Sequence, residues 1–134
     1  MLRRGLARSL YNLGMYSPQV LYYFQDTRYA GEVALPDASA QVENPVCGDV
    51  LRLTARVIDG KIVEIRFKVK GCVPAMACAS AVADLIHDRS LNDAANVSRE
   101  QLLERLGGLP QASAHAGHLA MDAVSALLKA IKGR

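Results

Sequence analysis

The clearest chemistry in this 134-residue chain sits in a thiol, a carboxylate and a second thiol. Cys47 and Asp49 stand two apart in Asn44-Pro45-Val46-Cys47-Gly48-Asp49, and Cys72 follows Gly71 farther along. Thiolate sulfur and carboxylate oxygen are ligands for zinc or iron. Gly48 frees the backbone between the first two. A free cysteine is also a common small buried hydrophobe, so a metal site requires that these residues meet.

The elements between them bring them together. From Val50 to Val57, Leu51, Leu53, Ala55 and Val57 alternate with Arg52, Thr54 and Arg56. Asp59-Gly60 is a hairpin turn signal. The return run alternates again, Val63, Ile65, Phe67 and Val69 against Glu64, Arg66, Lys68 and Lys70. This predicts two antiparallel strands with one buried face and one wet face. The entry to one strand and the exit from its neighbour lie at the open end of the hairpin. Cys47, Asp49 and Cys72 therefore share one edge. Cys72 also precedes an Ala-rich helical stretch from Pro74 to about His87, and a helix N-terminus lowers a thiol's pKa.

The rest of the chain reads as helices and connections. Ser17-Pro18 predicts a helix start, with Leu21 and Phe24 inward. Residues 27–44 read as a loop, broken by Gly31, Pro36 and Asp37. Ser98 with Gln101 forms a capping-box pattern, and Gly107-Gly108 stops that helix. The last helix runs from near His115 to about Lys132 with an apolar stripe that includes Leu119, Ala123, Val124 and Leu127. Strands first and helices after make an α+β layer structure. On its own His115 reads as a capping or surface histidine, with His118 three residues on and able to share its face. His87 reads as a surface residue at a helix C-terminus. Cys78 reads as a buried structural thiol, or as a spare ligand if the first helical turns bend toward the site.

Composition narrows the function classes. Roughly half the residues are apolar, tryptophan is absent, and no apolar run has the length of a membrane span. Residues 1–14 hold Arg3, Arg4 and Arg8 and no acid; the remainder balances 13 acidic residues with as many basic ones. A neutral body argues against nucleic-acid binding. The segment 1–14 reads as a flexible basic extension before a domain over 15–134, or as a short organellar presequence. The localisation expected is cytoplasmic, or the mitochondrial matrix if that segment is a presequence. Three cysteines without a secretory signal argue against a disulfide framework. No nucleophile–base–orienter set stands apart from the metal ligands, so an enzyme is not expected.

The chain resembles the NifU/IscU-type iron–sulfur cluster assembly scaffolds. The matching pieces are Tyr16-Ser17 with Val20, Arg28 and Gly31, then Asn44-Pro45-Val46-Cys47-Gly48-Asp49, then Phe67 with Gly71-Cys72, then Leu109-Pro110 with His115, then Leu119-Ala120 with Asp122-Ala123. The resemblance implies a three-stranded antiparallel sheet with helices packed on one face. It implies a site on Cys47, Asp49, Cys72 and His115 that receives iron, and sulfur from a cysteine desulfurase. A two-iron two-sulfur cluster would then pass to recipient apo-proteins. The chain departs from the family in three places. The family has cysteine directly after the site histidine, where Ala116 stands here. The family's Leu-Pro-Pro-Val-Lys stretch, which docks an Hsp70-type chaperone, reads Leu109-Pro110-Gln111-Ala112-Ser113. Cys78 replaces a serine-type residue. A scaffold or carrier with Asp49 or Cys78 as fourth ligand, a mononuclear zinc protein or sulfur-acceptor relative on the same residues, and a paralogue serving as an interaction module all fit these departures.

Overall fold

The computed structural model describes residues 16–134. The basic segment 1–14, read as an extension or presequence, lies outside the described residues. The elements are α1 (Pro18–Gln25), β1 (Ala38–Asn44), β2 (Asp49–Ile58), β3 (Lys61–Lys70), α2 (Val73–Ile86), α3 (Leu91–Ala95), α4 (Arg99–Arg105), a 3-10 turn (Gln111–Ser113) and α5 (Ala114–Lys132). The strands form one antiparallel sheet in the order β1-β2-β3.

The β2–β3 hairpin follows the alternation, with one correction. Asp59 and Gly60 both adopt positive φ, 52° and 72°, the conformation a two-residue turn of matching twist demands. Leu51, Leu53, Ala55, Val57, Ile65 and Phe67 are buried as expected. Arg56 pairs with Glu64 but Val57 pairs with Ile62, so Val63 is an extra, bulged residue. The bulge turns Ile62 into the core and leaves Val63 half-buried. Alternation counted back from the turn does not reveal it.

The stretch 27–44, read as a loop, contains β1. The residues Ala38-Ser39-Ala40-Gln41 have weak strand character, and pairing with β2 makes them a strand. The part before β1 covers the sheet. Phe67 N–H donates to Tyr29 O at 2.8 Å and Gly31 N–H to Phe67 O at 2.9 Å, which guards part of the β3 edge. Val33 N–H then donates to Thr54 Oγ1 at 2.9 Å. Thr54, on the outward face, is buried for that reason.

Helices α2 and α5 lie on the inward face, α2 against β3 and α5 against β1 and β2. Helix α1 packs on α2, and α4 on both α2 and α5. With neighbours on several sides, α2 buries Ala75, Ala77, Ala79, Val82, Ala83 and Ile86. In α1 the buried residues are Val20, Leu21 and Tyr23, while Phe24 is half-buried. Asp84 of α2 ties this side together. It accepts from Tyr23 Oη at 2.7 Å, Tyr29 Oη at 3.3 Å and Arg105 at 3.2 Å. His87, read as a surface residue, is half-buried and its ring packs against Tyr29. The capping box forms as read, Gln101 N–H to Ser98 Oγ and Ser98 N–H to Gln101 Oε1. No helix among the described residues is long and apolar enough to cross a membrane.

Thr54→Val keeps the volume but leaves the buried Val33 N–H without an acceptor. The substitution should cost about 1–3 kcal/mol of unfolding free energy, measured by chemical denaturation; an unchanged midpoint would mean that this crossing contributes nothing to stability.

Candidate metal centre

Register decides which residues meet. Asn44 pairs with Asp49, and Val50 with Lys70. The end of β1, the start of β2 and the end of β3 thus share one sheet edge. Cys72 is the N-cap of α2, directly beyond that edge. Helix α5 begins at Ala114, which brings His115 to the same place. Asp49, Cys72 and His115 each present a donor atom, and the three atoms lie within 4.8 Å of one another.

The two separations from the carboxylate suit coordination to one ion. Asp49 Oδ2 lies 3.6 Å from Cys72 Sγ and 3.6 Å from His115 Nε2. A tetrahedral ion with ordinary sulfur, nitrogen and oxygen bond lengths separates its ligands by roughly 3.3–3.8 Å. Asp49 is only 4% exposed. Burying a carboxylate is costly unless it is paired or binds a metal, and these two contacts are its nearest polar partners among the described residues. The donor set of one sulfur, one nitrogen and one oxygen fits zinc or iron.

Gly71 is part of this arrangement, and its role was not legible from spacing. A Cβ built there would fall 2.6 Å from Asp49 Oδ1 and 2.8 Å from its Cγ. Any side chain at this position would push the carboxylate away. Tyr16 borders the site too: burial first, then the charge of Cys72, raises its phenol pKa.

The thiol of Cys72 corrects one expectation. Its pKa is raised, not lowered. Desolvation is the largest cause, although the residue keeps access to solvent, and Asp49 adds to it through its charge and its hydrogen bond. The Ala75 backbone N–H pulls the other way. The first turn of α2 therefore does act on the thiol, but desolvation, reinforced by the carboxylate opposite, outweighs it.

The other expected residues stand at different distances from the centre. Cys47 is at the same end of the sheet, in the exposed turn between β1 and β2, outside the three-atom group. Its N–H faces Asn44 Oδ1 at 3.4 Å. Cys78 is fully buried, and burial pushes its thiol up to about 12. His118 is exposed one turn beyond His115. Ala116 is buried beside the site histidine.

Comparison with known proteins agrees with this architecture. The model of the NifU-like N-terminal domain matches residues 15–134. The iron-sulfur cluster assembly scaffold protein IscU 1 of Archaeoglobus fulgidus is 36% identical over 110 residues, covering 82% of this chain and 72% of that protein. The scaffold protein IscU of Haemophilus influenzae is 32% identical over 123 residues, covering 89% and 97%. Among solved structures, a NifU-like N-terminal domain from Brucella abortus superposes with a TM-score of 0.71 at 22% identity, over 90% of this chain and 96% of that one. This last likeness is one of fold.

Two outcomes test the geometry. Gly71→Ala should displace Asp49 and weaken cobalt or zinc binding by about 10–100-fold, the usual effect of disturbing a ligand's support, as read by competition with a chelator. In a Cys47→Ser background, Asp49→Ala should speed alkylation of Cys72 by iodoacetamide at pH 8. Removing the carboxylate lowers the thiol pKa, so more thiolate is present. An unchanged rate would mean that Asp49 does not act on this sulfur.

Proposed function

Since the chain belongs to the family of NifU-like N-terminal domains, we propose that it is an iron–sulfur cluster assembly scaffold or carrier. Iron and a two-iron two-sulfur cluster are its cargo. The observation that supports this most is the buried Asp49 carboxylate, with a thiol and an imidazole at coordination spacing.

Each residue has a part suited to temporary binding. Cys72 supplies the soft donor that holds iron firmly, and His115 supplies a nitrogen, a mixed ligation known for such clusters. Asp49 is the weaker, exchangeable ligand that permits release. Cys47 completes the set when the turn 45–48 folds inward, for which Gly48, already at positive φ, gives freedom. Sulfur comes from a cysteine desulfurase, and recipient apo-proteins take the cluster. With Ala116 in place of a third thiol, the bound cluster is held less tightly than on relatives that carry one. The segment Leu109 to Ser113 departs from the chaperone-docking sequence, so transfer does not depend on an Hsp70-type chaperone there. The same donors also suit a tetrahedral zinc ion, which is the competing occupant.

The test is anaerobic reconstitution with iron, cysteine and a desulfurase, followed by visible spectroscopy and metal analysis. A cluster chromophore that disappears in Cys47→Ala and Cys72→Ala is expected. One tightly held zinc and no chromophore would favour the zinc protein, and no metal uptake would exclude both. Ala116→Cys should lengthen the cluster's lifetime; no gain would mean that the site has drifted from the family geometry.

A further inference from the structure

The two edges of the sheet are treated differently. On β3, Phe67 N–H donates to Tyr29 O and Gly31 N–H to Phe67 O; Ile62 N–H donates to Arg89 O and Asp88 N–H to Ile62 O, both at 2.9 Å. The chain thus covers that edge at two places. Strand β1 pairs with β2 alone among the described residues. It holds no proline, lysine or bulge, the devices that usually guard a bare edge.

Register shows which backbone groups this leaves open. Phe67 turns its N–H and C=O outward, so Leu53, opposite it on β2, turns both toward β1. Val57, on the same side of β2, likewise reaches Asp37 Oδ2 with its N–H at 2.7 Å. In β1, Ala38, Ala40 and Val42 therefore bond to β2, while Ser39, Gln41 and Glu43 aim N–H and C=O at the outer edge. Helix α5 packs on the inward face of β1 and does not close this edge. A cleft of about 250 Å³ is lined by Glu43, on the outward face, and by Leu119 and Asp122 of α5, so it lies at the edge itself and keeps that end accessible.

We infer that β1 is a homodimer interface, at which two copies of this chain join antiparallel, edge to edge, on a two-fold axis through Gln41. The residue pattern selects a second copy as the occupant. With Gln41 opposite the partner's Gln41, Ser39 falls opposite the partner's Glu43, and every open N–H and C=O of the edge gains a partner. Ala40 then meets the partner's Val42, and both residues are half-buried apolar side chains of the inward face. Glu43 is the one charged residue of the strand, and in this register it faces a serine, so no like charges are opposed. Asn44 and Asp49 close one end of the β1–β2 pair, so the two metal centres stand at opposite ends of the shared edge, each open to its own partners.

Sedimentation equilibrium of the full chain should show a concentration-dependent monomer–dimer exchange. Gln41→Pro removes an N–H that the fold itself does not use and with it both bonds of the central pair. It should give a monomer with the native circular dichroism spectrum. Gln41→Lys places two like charges on the axis and should weaken the dimer severalfold, with recovery at high salt; it decides the matter if the proline variant fails to fold. Hydrogen exchange should protect the amides of Ser39, Gln41 and Glu43 only as the protein concentration rises. A wild-type chain that stays monomeric into the millimolar range would overturn the interface, as would a dimer that Gln41→Lys does not weaken. Protection of the three amides at every concentration would mean that another part of the same chain covers the edge, and would overturn it as well.

Discussion

The inward face of β2 and β3 has to be covered, and the rest of the molecule follows from how this is done. Leu51, Leu53, Ile62, Ile65 and Phe67 form an apolar, mostly aliphatic surface in a chain without tryptophan. Burying each large side chain is worth roughly 1.5–3 kcal/mol, so no arrangement that leaves this face wet competes. Helices α2 and α5 cover it. Because α2 follows β3 directly, its first turn falls at the edge where β2 begins. Helix α5 lies along β1 and β2 and starts at that same edge. The core thus sets two helix N-termini and a strand start around one point.

At that point polar groups meet in a partly dry site. Asp49 is withdrawn from water and faces a thiol whose ionisation it opposes. Two groups that become anions cannot both be comfortable in a partly dry site. A cation reverses this, since it stabilises thiolate and carboxylate together. Gly71 keeps the tension in place by leaving room for the carboxylate.

The departures from the family pattern are consistent with a looser grip. Ala116 contributes no donor. Cys78, the third thiol, is shut inside the core, where burial keeps it protonated. Cys47 sits on an exposed turn. The donors held in place are therefore one sulfur, one nitrogen and one oxygen.

Much of this was legible in the residue pattern because it is local. Period-two alternation, the Asp59-Gly60 turn, the Ser98–Gln101 capping box and the stop at Gly107-Gly108 are each decided within a few residues, and the structure contains them all. The hairpin also dictated that Asp49 and Cys72 would share an edge. Other features depend on partners far away in the chain. Strand β1 exists through pairing that its own residues barely favour, and the bulge at Val63 is a matter of register between two strands. The pKa of Cys72 is a balance between a helix terminus, visible in sequence, and desolvation with a carboxylate opposite, which are set only by packing. His115 reaches the centre only because α5 packs against β1 and β2. Cys47 stands exposed in the turn between β1 and β2, where no local rule orients a side chain.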